Sequence, residues 1–197
     1  MMRPPSTQTK EIAMPFPGAK TFPLSNPASQ CAAFSQSWLV FSFLHGAPVT
    51  NLTLMNNKTI MNSIQATAGG PSATALPANG LQINGTPVVL NNHNWTTIFQ
   101  RLMVCQTGAY YLTSKNPHHA MACWMQGGGA YYLEPEEGLF WIANRSAFPS
   151  AAATWYAART GSPTNTEFKI HAVTSAGSTS RSTTAPRRAM MGRQRIR

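Results

Sequence analysis

The chain contains no aspartate at all and only five acidic residues in 197, the glutamates Glu11, Glu134, Glu136, Glu137 and Glu167. Hydrolytic and acid–base chemistry draws heavily on carboxylates, so this scarcity argues against an enzyme built on a carboxylate pair. Charge of either sign is sparse: 10% of residues are charged, far below the quarter or so expected of a free soluble domain. Much of the surface is therefore expected to lie against other copies of the chain. The three cysteines, Cys31, Cys105 and Cys123, are odd in number and not closely spaced, which excludes a disulfide framework as the basis of the fold. The longest apolar run, Trp38 to Leu44, is too short to span a bilayer. The opening residues MMRPPSTQTKEIAMPFPG have no apolar centre of the kind a signal peptide needs. A membrane is accordingly not among the expected partners. The five Asn-x-Ser/Thr sequons, at Asn51, Asn57, Asn84, Asn94 and Asn144, are then chance products of an Asn- and Thr-rich chain.

What the chain does have is a one-sided tail. From Ala176 onward it carries Arg181, Arg187, Arg188, Arg193, Arg195 and Arg197 with no acidic residue, six of the ten net positive charges. Ser, Thr, Gly and Pro dilute the few apolar residues there, so the segment cannot bury enough surface to offset the entropy of ordering it. Arginine pairs bidentately with phosphate and stays charged at any relevant pH. Clustered on an arm, these six residues point to sequence-independent capture of RNA. Residues 1–30 form a second arm, held extended by Pro4, Pro5, Pro15, Pro17, Pro23 and Pro27. The intervening residues 31–175 suffice for one domain with a sizeable core.

Within that domain the patterning is mainly β. Cys31 to His45, ending in the continuous run WLVFSFLH, reads as a strand buried on both faces, and Val49 to Met55 as a second. Asn56 to Ala68 mixes helical spacing with poor helix formers. Leu81 to Leu90 reads as a hairpin turning at Asn84–Gly85, and Ala109 to Thr113 as a short aromatic strand. The clearest helix begins after Asn94, where Trp95, Ile98, Phe99, Leu102 and Met103 fall on one stripe. His119 to Asn144 reads as an antiparallel meander with turns at Gly127–Gly129 and Pro135–Gly138. Ser150 is expected to cap an alanine-rich helix, and Glu167 to Val173 alternates as a last strand.

Few residues invite chemistry. Glu134, Glu136 and Glu137 share one turn and could help hold a divalent cation or pair with arginine. His118, His119, Cys105 and Cys123 are zinc-capable types, but His-His-x3-Cys is no established ligand spacing. A cysteine–histidine nucleophile pair meets only in space and is left open by the sequence. No nucleophile motif or phosphate-cradling loop supports one. The expectation is a protein that is not an enzyme and needs no cofactor.

A strand-rich domain of low surface charge between the proline-rich arm MPFPGAKTFPLSNP and the basic tail RSTTAPRRAMMGRQRIR resembles the coat proteins of small non-enveloped RNA viruses, mushroom bacilliform virus coats among them. That resemblance implies a jelly-roll β-sandwich with two or three short helices in its connections. It also implies a shell of many copies assembled in the host cytoplasm, and RNA packaged in the virion by the tail. Two rivals are a cellular RNA-binding protein, such as a ribosome-associated subunit, and a carbohydrate-binding β-sandwich using Tyr110, Tyr111, Tyr131 and Tyr132 as its platform.

Overall fold

The computed structural model describes residues 20–21, 30–55, 58–68 and 72–177. Eight strands, β1 (Lys20–Thr21), β2 (Leu81–Ile83), β3 (Val88–Asn94), β4 (Gly108–Lys115), β5 (His118–Gln126), β6 (Gly129–Glu134), β7 (Gly138–Ile142) and β8 (Thr164–Ser175), form one antiparallel sheet in the order β1-β7-β6-β5-β4-β8-β2, with β3 also on β8. Four helices accompany them: α1 (Cys31–His45), α2 (Lys58–Ala68), α3 (Trp95–Met103) and α4 (Phe148–Thr160). The mainly β, antiparallel expectation is met. The second sheet of a jelly-roll sandwich is not what covers this one, because helices pack on both of its faces.

Residues 31–45 are the largest departure from the sequence reading: they are helix α1, not a strand. The first turns of α1 are buried on every side, from Cys31 through Leu39, so its apolar residues have no reason to follow a 3.6-residue period. A buried helix and a buried strand then look alike except in length, and fifteen residues exceed what a strand usually spans. The helix ends where Gly46 takes the left-handed conformation (φ 69°) and donates its N–H to the Phe43 carbonyl.

Other segments differ in smaller ways. The strand expected over 49–55 is instead a short 3₁₀ turn, Leu52–Met55, and the ambiguous stretch after it is helix α2. β2 and β3 do not form a hairpin with each other. Both pair with the twelve-residue β8, β2 against Val173–Ser175 and β3 against Thr164–Ile170. Asn94 caps α3 as read, its side chain accepting from the Thr97 N–H at 2.8 Å. Helix α4 begins earlier than the Ser150 cap suggested, with Ala147 at the cap position and Pro149 in the first turn. The meander β5–β6–β7 forms as expected, in a register that sets Ala122 opposite Leu133 and Tyr132 opposite Phe140. Gly129 is required at its turn, since a Cβ there would lie 2.4 Å from the Ile142 carbonyl oxygen.

Strand alternation divides the core in two. Ala109, Tyr111, Ala120, Ala122, Leu133, Leu139 and Val173 point toward α1 and its cover of α2 and short turns. Tyr110, Leu112, Met121, Cys123, Tyr132, Phe140, Phe168 and Ile170 point toward α3 and α4. Phe43, near the end of α1, meets Trp124, near the end of β5, with ring centroids 5.0 Å apart. Helix and strand thus run the same way, and the first residue of α1 comes to lie where β5 begins.

Candidate active site

Cys31 is the first residue of α1, and His119 is the second residue of β5. The His119 ring is within hydrogen-bonding reach of the Cys31 thiol. Its Nε2 is 2.6 Å from Oε1 of Glu134, at the end of β6, so the other ring nitrogen is the one left for sulfur. All three residues are buried.

Each side chain is fixed by its surroundings. Gln30, immediately before Cys31, donates from its amide to Asn62 of α2, and the Ala33 N–H donates to Oε1 of Gln65 at 3.0 Å. These bonds tie the first turn of α1 to the helix that covers it. Behind Glu134 a hydrogen-bond chain continues into the opposite layer. Tyr156 of α4 donates its hydroxyl to Glu134 Oε2, and the Glu136 N–H donates to Oε1 at 3.3 Å. A phenol has one proton and the carboxylate only accepts. The Tyr132 hydroxyl, 2.6 Å from that of Tyr156, is therefore the donor in that contact. Tyr156 itself is wedged among Trp95 (4.7 Å), Trp155 (4.6 Å) and Phe99 (5.2 Å).

Electrostatics follow from this geometry. Burial pulls the His119 imidazolium toward neutrality, but the Glu134 carboxylate, aided by Cys31, outweighs it and raises the group to about 9. Burial likewise works against a charged Glu134. His119 first, then Arg159 and the Tyr156 hydroxyl, overcome it and hold the carboxyl below its ordinary range. The pair is thus charged at neutral pH. A cationic imidazole is set beside the Cys31 thiol, at the N-terminus of α1. Cys123 has the opposite environment: burial in the apolar core pushes its thiol far up, leaving it inert.

The residues singled out by the sequence are distributed as follows. Of the acidic turn, Glu134 points into the site, while Glu136 and Glu137 both pair with Arg159 of α4, the latter at 2.9 Å. His118 is exposed, on the opposite side of the strand from His119. Among the described residues no group of three His, Cys, Asp or Glu side chains is arranged to hold a metal ion. Tyr110, Tyr111 and Tyr132 are buried and Tyr131 packs on Trp141 at 4.7 Å, so they offer no exposed platform for a sugar. Arg181, Arg187, Arg188, Arg193, Arg195 and Arg197, and nearly all of the expected proline-rich arm, lie outside the described residues. The expectation of no enzyme missed the Cys31–His119 pair because its members are 88 positions apart. The one local signal was a cysteine opening an apolar run too long for a strand.

No family model and no curated protein matches this sequence. Solved structures do match the fold. The Pseudomonas avirulence protein AvrPphB superposes with a TM-score of 0.60 at 16% identity, over 84% of this chain and 99% of that one. PatoxP, a cysteine protease-like domain of the Photorhabdus asymbiotica toxin PaTox, superposes with a TM-score of 0.52 at 12% identity, over 85% of this chain and 57% of that one. These likenesses overturn the viral coat reading, and with it the virion location, the shell-forming role and the expectation of no enzyme. They lend nothing to a ribosome-associated or carbohydrate-binding role. The coat resemblance rested on the two arms and on the aromatic strands between them, whereas the fold is decided by how those strands pair into one sheet and by α1 packed on it.

Proposed function

We propose that this protein is a cysteine hydrolase that cleaves peptide bonds through Cys31, His119 and Glu134. The observation that carries the reading is the placement of the Cys31 thiol at a helix N-terminus, against an imidazole that a buried carboxylate holds in its cationic form. The likeness to a cysteine protease-like toxin domain supports peptides as the substrate class, and that to an avirulence protein supports an effector or toxin setting.

In this scheme the Cys31 thiolate attacks the scissile carbonyl carbon, and the carbonyl π electrons move to oxygen. The Cys31 backbone N–H has no carbonyl four residues earlier within the helix, which suits it to stabilise that oxyanion. His119 gives its proton to the departing amine as the C–N bond breaks, leaving a thioester. Neutral His119 then takes a proton from water, the hydroxide adds to the thioester carbon, and the thiolate leaves with the acid product. Glu134 keeps the imidazole in one orientation and stabilises its charge. The carboxylate here is a glutamate, one methylene longer than aspartate. Tyr156 and the Glu136 N–H hold that longer arm still.

The test is irreversible labelling of Cys31 by iodoacetamide alongside cleavage of a digested-proteome peptide library. Selective labelling of Cys31 over Cys105 and Cys123, and cleavage lost in Cys31→Ser, are expected. A Cys31 no more reactive than free cysteine, with cleavage unaffected by its replacement, overturns the reading. Capture of RNA by the arginine tail is proposed separately, as a phosphate-driven and salt-sensitive contact. Association between copies, suggested by the sparse charge, is proposed likewise and read by sedimentation.

A further inference from the structure

On the α1 side of the sheet, a cleft of about 520 Å³ opens between the loop at Ser72–Thr74, the adjoining ends of β4 and β5, and the middle of β8. Its volume is in the range of small-ligand sites. Tyr111 links it to the candidate active site: its ring is 6.3 Å from that of His171, it lies close enough to Cys31 for the two to interact electrostatically, and its hydroxyl accepts from Gln36 of α1 at 3.3 Å.

His171 lines the cleft, is 5% exposed, and has no hydrogen-bond partner at either ring nitrogen. A buried polar group left unmatched costs about 1–3 kcal/mol, so the fold carries an unmet donor and acceptor at this spot. The surrounding charges are Lys115 on β4 and Lys169 on β8, against Glu167, whose carboxylate lies 3.0 Å from Lys169 Nζ. These three side chains sum to one positive charge.

We infer that this cleft is a specificity pocket for the carboxylate side chain of an acidic residue in the peptide that Cys31 cleaves. The inference rests on the proposed peptidase reading. An apolar side chain would leave both His171 nitrogens unmatched, and a cationic one would meet Lys115 and Lys169. A phosphate dianion would overshoot the single positive charge and crowd Glu167. One carboxylate balances the charge, accepts the His171 N–H and lies between the two lysines. Burial and the neighbouring Lys169 hold His171 below its ordinary value, which leaves the free pocket with the neutral ring.

The test uses full-length Cys31→Ala protein with isotope-labelled histidines and three probes: the N-acetyl amides of glutamate, glutamine and phosphoserine. Saturable shifts of the His171 ring signals with the glutamate probe, and none with glutamine, are expected. The exposed Lys115→Ala change should weaken that response roughly 5-fold and narrow the difference between glutamate and glutamine affinity, and His171→Leu should weaken glutamate binding roughly 10-fold. Equal responses to glutamate and glutamine, no response to glutamate, or tighter binding of phosphoserine overturns the assignment. Cleavage of the peptide library by the wild-type protein should enrich aspartate and glutamate at one position, and Lys115→Ala should reduce that enrichment. Cleavage without acidic enrichment removes the pocket assignment and leaves the peptidase reading standing. A glutamate-selective His171 response without any cleavage does the reverse.

Discussion

The two faces of the sheet are built from different materials. Toward α1 the strands present the small residues Ala109, Ala120 and Ala122 beside Tyr111, Leu133, Leu139 and Val173, in one buried cluster with Ala32 and Ala33 of the helix. Toward α3 and α4 the strands meet a dense aromatic layer in which Phe99 touches Phe148 at 5.3 Å and Tyr156 at 5.2 Å. The first face positions the proposed nucleophile, Cys31. The second clamps the carboxylate that charges the imidazole, because Glu134 shares the face of β6 that bears Tyr132 and accepts there from Tyr156. Chemistry at Cys31 therefore depends on both layers, and each should fail in its own way when perturbed.

The sharpest break is Cys31→Ser, which should lower peptide cleavage at least about 10,000-fold with the melting temperature nearly unchanged. Glu134→Gln comes next, with cleavage down roughly 100-fold and about 3–5 kcal/mol of stability lost as the buried ion pair is broken. Its pH signature is specific. Raised from 6.5 to about 9, His119 adds stability that is full below its unfolded value and lost as pH rises toward 9. Lowered from 4.5, Glu134 adds stability that is full above that value and lost as pH falls. The stability gap between wild type and Glu134→Gln, measured by urea unfolding, should accordingly be widest between pH 4.5 and 6.5. The alkaline limb of activity, set near 9 by loss of the His119 proton, should move down in the variant. A limb that stays in place would show that Glu134 does not charge the histidine.

Phe99→Ala tests the aromatic face alone. It should cost about 3–5 kcal/mol by denaturant titration, with activity per folded molecule little changed. Ala120→Val tests the small-residue face: overpacking costs about 1–3 kcal/mol, but by lifting the start of α1 it should reduce activity per folded molecule more than Phe99→Ala does. If the two substitutions act alike, the division of labour between the faces is wrong. The smallest effect expected is that of Arg159→Ala. Its pairs with Glu136 and Glu137 are partly exposed, and its loss should move stability by less than about 1 kcal/mol.

Much of the sheet was legible. β4 through β8 carry alternation, aromatic pairs and turn residues within short windows, and local rules of that kind read short-range structure well. Helix α3 was legible too, because its single apolar stripe borders solvent on the other side. Helix α1 was not, since a helix surrounded by protein has no polar face to reveal its period. The pairing of β2 and β3 with β8 escaped because they pair not with each other but with a strand far along the chain, which no local window contains.

By itself the sequence determined the antiparallel meander, the capped helix at Asn94, the weakly charged domain and the basic composition of the tail, all of which depend on neighbours a few residues apart. Tertiary structure alone assembled the candidate site. Cys31 acquires an imidazole only because α1 runs alongside β5 and starts where that strand starts, and His119 acquires its charge only because β6 returns Glu134 to the same end. A thiol, an imidazole and a carboxylate are ordinary side chains in water. Burial at one sheet end, within hydrogen-bonding reach of each other, shifts their proton affinities, and no window of the sequence contains all three.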